Sequence, residues 1–254
     1  NGDSALKKYS KKFDRVDLEN FLVTENEINQ SENSINENLK QAIHLAKNNI
    51  EKFHSSQKQD VRIITTTKGV ECWQKSVAIE KIGLYIPGGT APLFSTVLML
   101  GIPAKIAGCQ EIVLCTPPDK NREINPVILY CAKLVGVTRV FKIGGAQAIG
   151  AMAYGTETVP GVYKIFGPGN QYVTAAKQLV TLDGIAIDMP AGPSEVAVIA
   201  DLSASPEFVA SDLLSQAEHN PDSQVILVTT EEKLIDNVRE ELKKQMEHLP
   251  RKEF

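Results

Sequence analysis

Near the end of the chain, the stretch SQAEH, Ser215 to His219, sets Gln216 and His219 three residues apart. On a helix that spacing puts a carboxamide and an imidazole on one face. Imidazole suits zinc and an amide oxygen is a weaker but usable ligand, so the pair reads as part of a metal site. Spacing alone leaves a second reading open, because a histidine near a helix C-terminus is also a good partner for the helix dipole. The other chemistry lies in four glycine-rich turns: IPGG (Ile86 to Gly89), IGGAQA (Ile143 to Ala148), FGPGN (Phe166 to Asn170) and MPAGPSE (Met189 to Glu195). Glycine lets backbone approach a ligand closely, and a following helix N-terminus offers N–H groups and positive dipole to an anion. Plain turns require glycine too. FGPGNQY also has only G-x-G, with Tyr172 where a dinucleotide fingerprint carries its third glycine. Pro168 and Pro193 stiffen two of the turns.

The elements that must position these turns are short apolar runs alternating with helical ones. GLYI precedes STVLMLGIPAKIAG, EIVLC precedes NPVILYCAKLVG, RVFKI precedes AQAIGAMAYG, and YKIF precedes NQYVTAAKQLV. Four strand–helix repeats predict a parallel sheet wrapped by helices, the Rossmann-like class. The carboxyl ends of its strands share one edge, where ligands bind, so the turns collect there. Beyond DGIAIDMPAGPSEVAVIAD comes the helix SPEFVASDLLSQAEH, with Ser205 as N-cap and Pro206 in its first turn. A strand, SQVILVTT, and a charged helix, EEKLIDNVREELKKQMEHL, follow.

The first fifty-odd residues read as helical. In INENLKQAIHLAKNNIEKF, Ile35, Leu39, Ile43, Ala46, Ile50 and Phe53 form one apolar face. His44 and His54 fall off or at the edge of that stripe, as surface histidines. Next, β-branched runs surround Lys68-Gly69, predicting a hairpin, with Trp73 as a packing residue.

Of the 254 residues, 43% are apolar and 23% charged, with a net charge of −4 and no basic stripe. Electrostatic binding to nucleic acid or to an anionic membrane therefore has no support. No apolar run approaches the roughly 18 residues of a membrane span. The opening NGDSALKKYSKKFD lacks the apolar core of a secretory signal. Cys72, Cys109, Cys115 and Cys131 form no CxxC pair and read as buried free thiols in a reducing cytoplasm.

The long motifs GLYIPGGTAPLFSTVLMLGIPAKIAGC, KIGGAQAIGAMAYGTETVP, KIFGPGNQYV, DGIAIDMPAGPSEV and DLLSQAEHNPDSQVILVT together resemble histidinol dehydrogenase. The similarity runs through the whole chain. It implies a zinc- and NAD-dependent homodimer, with one zinc per subunit. Such an enzyme oxidises L-histidinol to L-histidine in two steps through the aldehyde. It also implies roles: Tyr85, Gln147 and Asn170 match NAD-contacting positions, Ser194 a substrate-contacting one, and Gln216 and His219 zinc ligands that border the substrate. The family's remaining ligands, an Asp and a His, and its Glu-His acid/base pair find no match before Phe254. The expectation is therefore an N-terminal and central fragment, inactive by itself. Its fold is expected to be α/β with two Rossmann-like domains. Residues 85–195 form the second, carrying the NAD loops; residues 1–84 and 196–254 form the first, discontinuous and truncated, carrying half the zinc site. The glycine turns alone also suit a non-catalytic nucleotide- or anion-binding α/β module, or a scaffold without ligand.

Overall fold

Alternating side chains along one central strand set the plan of the larger of two compact units, residues 1–190. In the computed structural model, which describes residues 1–88, 92–190, 195–218 and 223–249, that strand is β3 (Lys81–Tyr85). Three helices and a hairpin precede it: α1 (Gly2–Tyr9), running into a π-helical turn at Ser10–Asp14, then α2 (Glu25–Ser31), α3 (Glu37–Ser55), and β1 (Ile63–Thr67) paired antiparallel with β2 (Val70–Trp73). After β3 come α4 (Phe94–Ala107), β4 (Glu111–Thr116), α5 (Pro126–Val135), β5 (Arg139–Lys142), α6 (Gly145–Tyr154), β6 (Lys164–Phe166), α7 (Gln171–Thr181) and β7 (Ala186–Ile187). The five strands from β3 to β7 form one parallel sheet in the order β5-β4-β3-β6-β7.

Each strand residue faces opposite to its neighbour, so a strand covered on both sides must be apolar throughout. Ile82, Leu84, Ile112, Leu114 and Val140 join one core, with side chains from α3, α4 and α5. Tyr85, Val113, Cys115, Phe141 and Ile165 join the other, with α6, α7 and the segment Leu6 to Phe21. The strand–helix repeats expected from sequence are present as an α/β sheet flanked on both faces. α4 packs against α3, α5 and β3 and buries Val97, Leu98, Gly101, Ile102 and Ala104, while Met99 and Lys105 stay exposed. Its approach to α5 depends on Gly101, where a Cβ would lie 2.3 Å from Val135 Cγ2.

The N-terminal segment closes an edge. Leu22 bridges Phe141 in antiparallel sense, Val23 N–H donates to the Val140 carbonyl (2.9 Å) and Lys142 N–H to the Phe21 carbonyl (2.8 Å). The chain then turns into α2 through a capping box between Thr24 and Glu27. Glu27 also takes an ion pair from Lys142 at the end of β5.

The smaller unit, residues 191–254, pairs β8 (Glu195–Ala200) in parallel with β9 (Gln224–Thr229). The helices α8 (Pro206–Ala217) and α9 (Glu232–Met246) cover one face through Val209, Leu213, Leu234 and Val238. The other face shows Ile199, Ile226 and Val228, all exposed. No helix among the described residues is long and apolar enough to cross a membrane.

Three local details depart from expectation. Trp73 is 59% exposed, and Ile63, Ile64 and Val70 are exposed with it, because the two-stranded hairpin has no second layer among the described residues. Phe53, at the last turn of α3, extends past the helices that bury Ile43 and is exposed. Ser205 precedes α8 as expected, but its hydroxyl bonds the Glu207 carboxylate rather than a backbone N–H. Other details follow expectation. His44 and His54 bond Tyr130 (3.1 Å) and Gln57 (2.7 Å) at the edge of α3. Of the four free thiols, Cys115 and Cys131 are buried as expected, but Cys109 is only half-buried and Cys72 is exposed, because it lies on the uncovered hairpin.

Gly101→Ala should cost about 1–3 kcal/mol in urea unfolding by overpacking against Val135. Adding Val135→Ala should return part of that loss, as a coupling of about 1 kcal/mol or more between the two sites. Thr24→Ala should cost about 1 kcal/mol by removing the cap of α2.

Candidate active site

The carboxyl ends of β3, β4 and β5 meet at three interlocked turns. Tyr85 ends β3 with its side chain buried on the α6 side, and its hydroxyl accepts the Gly145 N–H at 2.9 Å. Gly145 opens α6, so the phenol occupies one of the N–H groups that a helix start leaves without an internal partner. Burial pushes the Tyr85 phenol up to about 12, which keeps it neutral. Two residues on, Gln147 donates from Nε2 to Asp14 Oδ2 at 3.1 Å. Asp14 arrives from the π-helical turn after α1, and burial raises its carboxyl above the ordinary value despite the Gln147 bond. Pro117 is the shared wall. A Cβ at Gly88 would lie 2.6 Å from Pro117 Cγ, and one at Gly144 would lie 2.5 Å from Pro117 Cβ and 3.2 Å from Asp14 Oδ1.

The strand order reverses between β3 and β6, and such a switch point opens a crevice at the carboxyl edge. Gly167 stands there, straight after β6, at φ +127°. A side chain is excluded on two counts: the conformation is closed to L residues, and a Cβ would meet the Tyr85 carbonyl oxygen at 2.1 Å. Three residues later Asn170 is exposed and caps α7, its Oδ1 accepting from Tyr172 and Val173 N–H, each at 3.1 Å. Beneath the turn, Lys177 donates to the Gly167 carbonyl at 2.8 Å and to Asp188 Oδ1, while Asp188 Oδ2 accepts the Gly167 N–H at 2.7 Å.

In the smaller unit, α8 runs back from the carboxyl edge of β8, so its last turn returns to the amino edge of the strand pair. Gln216 lies in that turn, with a buried Nε2 that has no hydrogen-bond partner among the described residues. Ser194 and His219 lie outside the described residues. Among the described residues there is no cluster of three or more His, Cys, Asp or Glu able to hold a metal.

Of the expected residues, Tyr85 and Gln147 are thus brought together through the first turn of α6. Asn170 stands on the next turn across the switch point. Gln216 belongs to the smaller unit. Three further residues at these turns, Asp14, Lys177 and Asp188, are not among those the motifs single out. Lys177 leaves a trace in the sequence, since it falls on the buried stripe of α7 between Val173 and Val180, where a charge is out of place. Asp14 sits in a charged N-terminal stretch with nothing local to mark it.

The histidinol dehydrogenase family model matches residues 1–254. A histidinol dehydrogenase of Bacteroides thetaiotaomicron is 66% identical over 253 residues, covering 100% of this chain and 59% of that protein. The crystal structure of histidinol dehydrogenase from Elizabethkingia anophelis superposes with a TM-score of 0.95 at 59% identity, over 99% of this chain and 58% of that one. A Rhodopseudomonas palustris propionaldehyde dehydrogenase, 14% identical with a TM-score of 0.51 over 86% of this chain and 51% of its own, shares the fold alone. The chain spans a little under three fifths of the curated relatives it matches. With the match unbroken from first residue to last, the chain belongs to the histidinol dehydrogenase family.

Proposed function

We propose that the complete protein oxidises L-histidinol to L-histidine through histidinal, using two NAD and one zinc per subunit, and that residues 1–254 supply its cofactor loops and part of its metal site. Family membership over the whole chain together with glycine turns gathered at the switch point of a parallel sheet carries this reading.

The residues suit both groups. At the switch point, the first turns of α6 and α7 face the carboxyl edge, the end to which helix N-termini bring N–H groups for phosphates. Tyr85 is neutral there and keeps a proton to donate after accepting the Gly145 N–H. Asn170 commits its carbonyl to α7, so its part toward a dinucleotide runs through its NH2 end. Gln147 is held by Asp14, which fixes the amide for a ligand. In the smaller unit, the buried unpartnered end of the Gln216 carboxamide suits a cation. The two ends of that group are nearly isosteric, so a half-turn presents oxygen in place of nitrogen. His219, three residues further along the sequence, is the second ligand of this reading, and Ser194 touches substrate.

The chemistry balances as two hydride transfers. The alcohol carbon loses hydride and its hydroxyl loses a proton, giving the aldehyde. Water adds, and the hydrate loses a second hydride and two protons to give the carboxylate. When bound, NAD would supply the hydride acceptor and zinc a Lewis acid for the substrate. The work of these residues is to hold both partners still, which lowers the entropic part of the barrier. The protons need a base with a pKa near neutrality, assigned by the resemblance to a Glu-His pair that has no match in residues 1–254. The homodimer and the cytoplasmic setting belong to the same proposal. The apolar outer face of β8–β9 supports further covering of the smaller unit in the complete protein.

In the full-length protein, Gln147→Ala should raise the KM for NAD about tenfold and leave the KM for histidinol within about twofold, read from initial rates of reduced-nicotinamide absorbance. Gln216→Ala and His219→Ala should each lower bound zinc from one per subunit toward zero by elemental analysis, with activity falling in step. Residues 1–254 alone should produce no reduced nicotinamide from histidinol. Steady turnover by that chain would show that it holds every group the reaction needs.

A further inference from the structure

Lys177 is 4% exposed, in the middle of α7, and two of its three donors are spent on one turn of backbone and the carboxylate beside it. It bonds the Gly167 carbonyl at 2.8 Å and the Asp188 carboxylate, whose second oxygen takes the Gly167 N–H at 2.7 Å. Asp188 is itself fixed just beyond β7 by its own N–H on the Ile165 carbonyl at 3.1 Å. The Gly167 N–H and C=O belong to the two peptide groups on either side of its Cα. Holding both fixes the φ and ψ of the residue with the widest conformational freedom in the turn. That turn carries Asn170 at its other end and stands at the switch point of the sheet.

Burying an ion pair is an expensive way to hold a helix against a sheet. An aliphatic side chain between Val173 and Val180 would pack there without desolvating a charge. What an aliphatic residue cannot do is bond the Gly167 carbonyl. We propose that Lys177 and Asp188 are positioning residues for the cofactor: their ion pair holds the Gly167–Asn170 turn in the shape that receives the dinucleotide. A turn held in advance loses less freedom when the ligand arrives. This rests on the reading of that turn as part of the NAD site.

The test uses the full-length protein. The double variant Lys177→Met/Asp188→Asn removes both charges at nearly constant volume. Its new carboxamide can still accept the Gly167 N–H, but nothing is left to bond the Gly167 carbonyl. Asp188→Glu keeps both charges and lengthens one arm. For either variant that melts within a few degrees of the parent, the KM for NAD should rise about tenfold or more while the KM for histidinol stays within about twofold. A folded variant whose KM for NAD stays within about twofold of the parent overturns the proposal. So does failure of both variants to fold, which would make the pair a stability element. Gln147→Ala separates the two levels: if it also leaves the KM for NAD unchanged, the cofactor reading of these turns fails first. If it raises that KM and the Lys177 and Asp188 variants do not, only the positioning role is lost.

Discussion

The structure of residues 1–190 depends on a strand that is hydrogen-bonded on both sides and covered on both faces. β3 pairs with β4 on one side and β6 on the other, and its side chains alternate between two separate cores. Because the chain builds outward first through β4 and β5, then crosses back to place β6 and β7, the connections after β3 and β6 leave in opposite directions. The crevice and the approach of Gly167 to the Tyr85 carbonyl follow from that reversal, while the three turns around Pro117 meet because β3, β4 and β5 are neighbours in the sheet.

The turns are held by different chemistry on the two sides of the crevice. On the β5 side the contacts are neutral or singly charged: a phenol on a helix N–H, and an amide on a carboxyl group whose proton affinity burial has raised. On the β6 side a full ion pair takes both peptide groups of one glycine. Low dielectric strengthens each of these bonds and raises the cost of leaving any of them unmade. The segment of chain that brings Asp14 to this place is the one whose continuation, Phe21 to Val23, pairs with β5, so the edge of the sheet and the wall of the site are anchored together.

How much of this is legible in the sequence can be traced residue by residue. The alternation of apolar runs with helical ones is enough for the parallel sheet, because a strand buried on both faces leaves an unmixed apolar signature. The hairpin at Lys68-Gly69 is legible from turn chemistry alone. The glycine turns are marked by their own residues, but Tyr85, Gln147 and Asn170 within or beside them stand out only through the resemblance to histidinol dehydrogenase. Asp14 is not, because its partner Gln147 is 133 residues away and nothing in the local pattern of a charged segment distinguishes one carboxylate from another. Trp73 misleads for a related reason: an aromatic side chain signals the need for a partner without saying where one is.

The antiparallel contact of Leu22 with Phe141 has a consequence for how the molecule behaves among its own copies. A parallel sheet ends in a row of amides and carbonyls that invites any extended peptide to join it. Here one border is occupied by the molecule's own leading segment and the other is a strand of only two residues. Trimming the chain back past Val23 would uncover Val140 and Lys142 as a docking rail. Residues 21–23 therefore shield that border from a neighbouring strand, apart from anything that happens in the crevice.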